Sequence, residues 1–355
     1  MRRLRDIALG LARRLIRAAP LHAQNVRPTR RGPVTHVIIL DGTMSSLRTG
    51  RETNAGLTYK LLLRNRGAAL SLYYEAGVQW SDWTRTGDVV AGRGINRQIR
   101  RAYGYLASRY RPGDRIFLFG YSRGAFAARS LAGLIGRIGL LRPEKATVRN
   151  VRTAYRHYRT GGQGRAARAF ARARCHEAVE IEMLGLWDTV KALGLGVPLL
   201  WRAGAADHDF HDHHLGPHVK AGYHALARDE TRKVYTPVLW DTAGLNGAQV
   251  EQVWFRGTHG DVGGQLDGLQ AARPLSNIPL VWILERAEAR GLPLPEDWRA
   301  DFPCDPAAPS IGTWRGWAKL FVLRGPRQIG ADPSERLHET ALHDPAPPPD
   351  AAPAV

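Results

Sequence analysis

The segment RIFLFGYSRGAFAARSLAGLIG, Arg115–Gly136, constrains the fold more than any other stretch of the chain. Its first half is a short run of large apolar residues with no polar alternation, the pattern of a strand buried on both faces. The second half is alanine-rich with helical spacing, and no loop separates the two. The hand-over falls at Gly120-Tyr121-Ser122-Arg123-Gly124, a G-x-S-x-G pentapeptide. Glycines on either side of the serine let strand and helix approach closely and leave the hydroxyl exposed at the helix N-terminus, which is what a nucleophile elbow requires. A phosphate-binding turn is the competing reading, but neither G-x-x-x-x-G-K-[ST] nor G-x-G-x-x-G occurs at this position.

The rest of the chain repeats the alternation. THVIILDGT (Thr35–Thr43) and LSLYYEAG (Leu70–Gly77) predict strands, and Gly92–Tyr110 predicts an amphipathic helix. VEIEMLGLWDTV (Val179–Val190), VYTPVLW (Val234–Trp240) and VEQVWFRG (Val250–Gly257) predict three more strands. Ser276–Gly291 predicts a helix with Ser276 as its N-cap. This order implies an α/β fold with a mostly parallel central sheet, helices on both faces and helical insertions. Residues 33–331 are expected to form a single domain, with insertions at about 143–178 and 191–230. A basic extension, 1–32, precedes it, and a Pro/Ala-rich tail, 332–355, is expected to be disordered.

Charge narrows the partners. The net charge is +19, and arginine supplies most of it, since only 6 of the 51 basic residues are lysine. Residues 1–31 hold nine arginines against one acid, Asp6, which leaves a moderate excess on the remainder. No zinc-finger spacing or RNP-like aromatic motif accompanies it, so nucleic acid is not predicted as a partner. Leu4, Ile7, Leu11 and Leu15 fall on one helical stripe with Arg3, Arg13, Arg14 and Arg17 largely off it. Residues 1–19 therefore suit an anionic membrane surface, with a frayed extension or a helix docked on its own domain as the alternative. Arg13 and Arg14 interrupt any secretory h-region, and no apolar run approaches the roughly 20 residues that span a bilayer. Two cysteines, Cys175 and Cys304, make no disulfide framework, and synthesis in a reducing cytoplasm is expected.

A serine needs a base, and the base an orienting acid, which in this fold follow in the order Ser, Asp/Glu, His at strand ends. Asp188, in Leu186-Trp187-Asp188-Thr189-Val190, closes a predicted strand and is the first candidate for the acid. His259 follows another, in WFRGTHGDVGG, among glycines that let the loop turn back over a site. Asp261 is the rival acid, with loop-steadying or helix capping as its alternative use. The backbone N–H of Arg123 is one candidate oxyanion donor, and Gly42 or Thr43 in the loop after the first strand is the other. Asp41 supports that loop either as an Asx turn or catalytically, and Gly120 and Gly124 are the packing glycines of the elbow. The cluster Asp207, His208, Asp209, His211, Asp212, His213, His214 and His218 could in principle bind zinc, or be no more than a crowded loop.

The motifs LDGT, GYSRGAFAAR, GLWDTV, FHDHHLGPHVKAGYHALARDETRKVYTPVLW and WFRGTHGDVGG stand in the order seen in a large α/β-hydrolase domain family. The chain resembles that family, which includes the catalytic domains of type VI secretion phospholipase effectors, over roughly residues 34–290. The resemblance implies a triad at Ser122, Asp188 and His259, no metal or other cofactor, and activity on carboxylic esters, with glycerophospholipids as the main substrate class. An immunity protein or a secretion-spike protein is the implied partner of an effector, and export by type VI secretion the implied route. The larger effectors also carry a membrane-binding module, for which 355 residues leave little room. The expected function is a lipase or phospholipase A-type serine hydrolase. A soluble esterase or acyltransferase, and a non-catalytic binding module, are the alternatives.

Overall fold

The computed structural model describes residues 21–25, 31–65, 69–77, 90–190, 214–243, 249–314 and 322–342. Among these, eight strands form one sheet: β1 (Leu21–Asn25), β2 (Thr35–Leu40), β3 (Leu70–Glu75), β4 (Arg115–Tyr121), β5 (Met183–Trp187), β6 (Ala221–Ala227), β7 (Gln249–Phe255) and β8 (Glu335–Leu337). Their order is β1-β3-β2-β4-β5-β6-β7-β8. Only β1 runs antiparallel to its neighbour; the other seven strands are parallel.

Seven α-helices are described: α1 (Asn54–Arg64), α2 (Val90–Ala107), α3 (Arg123–Ile138), α4 (Val148–Arg159), α5 (Arg165–Arg174), α6 (His259–Gly263) and α7 (Arg273–Ala289). The central strands are apolar throughout because each face meets a helical layer. In β2 and β4, Ile38, Leu40, Ile116 and Leu118 pack with residues of α2, α3 and α4. Val37, Ile39, Phe117 and Phe119 point the other way, toward residues of α1 and α7. Each such side chain, taken fully out of water, contributes roughly 1.5–3 kcal/mol.

The chain goes from β2 to β3 on one side and then crosses back to β4 on the other. This reversal leaves the loops after β2 and β4 facing a common crevice at the carboxyl ends of the strands, where α/β sheets bind their ligands.

Several expectations need correction. Residues 221–227, expected within an insertion, form the fully buried strand β6 between β5 and β7. AGYHALA has no β-branched residue, and its glycine makes room for a bulky neighbour: a Cβ on Gly222 would lie 3.0 Å from the Trp240 ring. VYTPVLW is not a strand but a 3₁₀ turn, Lys233–Tyr235, followed by a single bridge from Val190 to Pro237. Pro237 has no N–H to give a ladder. Helix α7 starts at Arg273 rather than at a Ser276 cap, with proline in its first turn and Ser276 buried inside it. Helix α1, an element beyond those expected, is capped by Thr53, whose side chain accepts from the Gly56 N–H. Part of the expected basic extension is the edge strand β1, and part of the expected tail is β8, paired with β7. The amphipathic pattern of residues 1–19 lies outside the described residues. No helix among the described residues is long and apolar enough to cross a membrane.

Candidate active site

Ser122 is the single residue between β4 and α3, and it has φ 58° and ψ −123°. A non-glycine residue at positive φ is strained, and it persists only where its surroundings over-determine it. The glycines explain how. A Cβ on Gly124 would lie 2.1 Å from the Leu40 carbonyl oxygen, and one on Gly120 would lie 2.5 Å from the Ala125 Cα. Bare backbone at these two positions is what allows α3 to start against β2 and β4. The Ser122 N–H is held by the Trp187 carbonyl at 3.0 Å, so the turn is pinned to the end of β5.

Asp188 follows β5 directly, also at positive φ, 41°. Its N–H donates to the Ala225 carbonyl at 2.8 Å. The next residue, Thr189, donates its N–H to His224 Nε2 at 3.0 Å. Burial first, then the nearby Arg129, lowers the His224 pKa to about 3, so the ring stays neutral and accepts that bond.

His259 opens α6 after the turn that ends β7. Its Nδ1 lies 2.5 Å from Asp188 Oδ2 and its Nε2 lies 2.9 Å from Ser122 Oγ. Because the carboxylate only accepts, Nδ1 carries the proton and Nε2 accepts from the serine hydroxyl. The ring sits between Tyr121 at 4.9 Å and Tyr235 at 4.6 Å, centroid to centroid. Its backbone N–H donates to Glu230 Oε2 at 3.2 Å, and Glu230 is held by Arg232 at 2.6 Å.

All three groups are buried, Asp188 completely. Burial lowers the His259 pKa below the ordinary imidazole value, against the opposing pull of Asp188. Burial would raise that of Asp188, but the Arg327 charge and hydrogen bonds from His259 and Arg327 outweigh it and hold the carboxyl well below its usual range. At neutral pH the arrangement is therefore a hydroxyl, a neutral imidazole and a carboxylate in line, able to draw a proton off Ser122.

Asp261 has a different task. It accepts from the Thr258 N–H and hydroxyl, both at 2.8 Å, from Ser310 at 2.5 Å and from the Ile311 N–H at 2.9 Å. It steadies the loop on which His259 stands.

Behind the serine, Asp41 takes bonds from Thr53 Oγ1 at 2.6 Å, Tyr74 OH at 2.7 Å and the Gly42 N–H at 2.7 Å. Burial pushes its pKa up to about 6, against those donors. The Gly42 bond corrects one expectation, because that amide is already committed to Asp41 and is not aimed at the crevice. Among the described residues no acceptor faces the amides of Thr43 or Arg123.

Of the histidine cluster, residues 207–213 lie outside the described residues. His214 Nδ1 is 3.1 Å from the Asp241 carbonyl, and His218 Nε2 is 2.8 Å from the Ala132 carbonyl. Among the described residues no group of three or more His, Cys, Asp or Glu side chains is placed to hold a metal.

Sequence reasoning missed Tyr235, Glu230, Arg232 and Arg327. The first three lie in the ARDETRKVYTPVLW stretch already noted as a motif. Arg327 sits in a loop with no periodicity or motif to mark it.

Comparison with known proteins adds a family. Residues 35–286, well over half of the chain, match the family described as "T6SS, Phospholipase effector Tle1-like, catalytic domain". The yeast protein "Uncharacterized protein YEL023C" of Saccharomyces cerevisiae is 29% identical over 186 residues, 45% of this chain and 27% of its own length. A crystal structure of an uncharacterized protein from Pseudomonas aeruginosa aligns at 16% identity and TM-score 0.42, over 81% of this chain and 50% of its own. The structure of the Tle1 effector bound to the VgrG spike of the type 6 secretion system aligns at 18% identity and TM-score 0.36, over 67% and 52%. The chain thus spans 27% of the yeast relative and about half of these two solved chains, 50% and 52%. On the match of residues 35–286, which run from β2 into α7, the chain belongs to the Tle1-like catalytic-domain family of type VI secretion phospholipase effectors.

Proposed function

We propose that this chain is a serine hydrolase that cleaves carboxylic esters of glycerophospholipids, in the manner of a lipase or phospholipase A. The observation that carries the reading is the continuous hydrogen-bonded line from Ser122 Oγ through His259 to Asp188, at 2.9 Å and 2.5 Å, starting from a strained serine at a strand-to-helix turn. Ser122 attacks the ester carbonyl as His259 Nε2 takes its proton, and Asp188 stabilises the imidazolium that forms. The amides of Arg123 and Thr43 are the donors assigned to the oxyanion, each worth about 3–4 kcal/mol in reactions of this kind. Collapse of the tetrahedral intermediate expels the alcohol with the proton from His259. Water, activated by the same imidazole, then frees the fatty acid and restores Ser122.

The glycerophospholipid substrate rests on family membership. Nine arginines within residues 1–31 supply the attraction that would bring the chain to an anionic membrane surface. A secretion-spike protein is the partner proposed from the Tle1 relative, whose structure is of the effector bound to VgrG. The test is release of fatty acid from mixed phosphatidylglycerol–phosphatidylethanolamine vesicles beside hydrolysis of a short p-nitrophenyl ester. Wild type is expected to act on both and Ser122→Ala on neither. Activity on the soluble ester alone would replace the lipid reading with a soluble esterase.

A further inference from the structure

The relay from Ser122 to Asp188 does not end at the carboxylate. Arg327, which lies beyond the family-matched residues 35–286, meets Asp188 with both ends of its guanidinium. Nη1 donates to Oδ1 at 2.6 Å and Nη2 to Oδ2 at 2.8 Å, the fork-on-fork geometry that fixes a carboxylate in position and rotation. The same nitrogens donate to two backbone carbonyls, Nη1 to Ala227 at 2.8 Å and Nη2 to Tyr235 at 2.5 Å. The guanidinium is thereby fastened to the end of β6 and to the turn whose tyrosine flanks the His259 ring. The Arg327 side chain is 5% exposed and that of Asp188 0%, so the pair is out of water.

A buried ion pair of this kind is weak evidence for stability, because desolvating both ions offsets most of their attraction. Its position relative to His259 is the informative part. Asp188 Oδ2 receives both Nη2 of Arg327 and Nδ1 of His259. We propose that Arg327 is a positioning residue of the reaction: it holds the Asp188 carboxylate in the orientation that meets His259 and cancels its buried charge. The inference rests on the reading of Ser122, His259 and Asp188 as a catalytic relay.

The charges around the imidazole support this role. Glu230, at the His259 backbone N–H, is cancelled by its own partner Arg232. Asp261 is turned toward Thr258, Ser310 and Ile311. Tyr121 and Tyr235, against the two faces of the ring, are kept protonated by burial. Asp41 acts on Tyr121, and Arg123 and Arg232 act on Tyr235. Among the described residues, Arg327 is therefore the cation that balances Asp188. With it present, losing the imidazole proton leaves the Asp188–Arg327–His259 group neutral. Without it, losing that proton would leave one uncompensated negative charge in a buried site. Removing the guanidinium is thus expected to make His259 hold its proton to higher pH, and to loosen the carboxylate that orients it.

The test is the rate at which a fluorophosphonate labels Ser122 in this chain, followed from about pH 4 to 9, a range extended downward because burial lowers the His259 pKa below the ordinary imidazole value. Arg327→Gln is expected to move the acid limb up by about one pH unit, and so to slow labelling about tenfold on the limb. Arg327→Lys keeps the charge without the fork, so its limb should stay near that of wild type while its plateau rate falls. A Gln variant whose limb is unmoved, however slow the labelling, overturns the inference. If that variant does not fold, the Lys variant decides: a lowered plateau with an unmoved limb supports the role, and a limb shifted upward or an unchanged profile overturns it. Wild type that fails to label at Ser122 defeats the catalytic reading and this inference with it; a labelled Ser122 with unmoved limbs defeats only the inference.

Discussion

At the scale of single residues, the site depends on two backbone conformations that side chains rarely adopt, Ser122 at φ 58° and Asp188 at φ 41°. Both stand immediately after a strand, and both amides are tied to the neighbouring strand, at Trp187 and Ala225. The two aspartates that competed for the role of acid can be separated by substitution. Asp188→Asn removes the acceptor that keeps the proton on His259 Nδ1 and is expected to lower kcat by about 10⁴-fold. Asp261→Asn weakens a loop clasp and is expected to cost on the order of 1–2 kcal/mol in urea unfolding, with the pH dependence of activity unmoved. A reversal of those two outcomes would reassign the acid. The wild-type pH profile has a definite sign as well. Because burial lowers the His259 pKa, the acid limb of kcat/KM should lie below about 6.5, the ordinary imidazole value. Ser122, Asp188 and His259 were legible in the sequence because each ends a recognisable apolar run. Arg327 was not, because what selects it is a contact across 139 residues with nothing local to announce it.

At the scale of elements, the strand-to-helix unit Arg115–Ile138 was legible because its signals are local: apolar length, a Gly-x-Ser-x-Gly turn, then alanine at helical spacing. Strand β6 was hidden for the opposite reason. It lacks β-branched residues, and its Gly222 is required by the Trp240 ring packed against it, so the requirement lies in the neighbours rather than in the strand. VYTPVLW misled by composition, since its β-branched and aromatic residues serve a turn in which Tyr235 stacks on His259. The close packing of α3 on β2 yields a sharp expectation. Gly124→Ala introduces a Cβ 2.1 Å from the Leu40 carbonyl oxygen, and backbone there cannot move aside. It is expected to lower unfolding free energy by about 2–3 kcal/mol or more and to abolish labelling of Ser122. Gly32→Ala, where a Cβ meets nothing within 4 Å, should change neither. Equal effects of the two in urea unfolding would contradict the elbow packing.

For the whole molecule, the family match spans the sheet from β2 through β7 and into α7, yet the guanidinium at Asp188 and the edge strand β8 come from the chain that follows. The hydrogen-bonded line Ser122–His259–Asp188 is thus closed by a segment outside the matched region. At the other end, nine arginines within residues 1–31 concentrate positive charge, and the proposed lipid substrate makes that charge testable. Deleting residues 1–19 is expected to weaken sedimentation with anionic vesicles and to leave the rate of soluble-ester hydrolysis unchanged; unchanged vesicle binding would contradict a membrane role for this segment. The central claim is that Ser122 is a nucleophile acylated by an ester. Its most direct measurement is mass spectrometry of the wild-type chain after reaction with a fluorophosphonate, beside Ser122→Ala. One adduct is expected, on the peptide containing Ser122 in wild type, and none in the variant. No adduct on that peptide, or an Ala variant that hydrolyses a p-nitrophenyl ester at the wild-type rate, would contradict it.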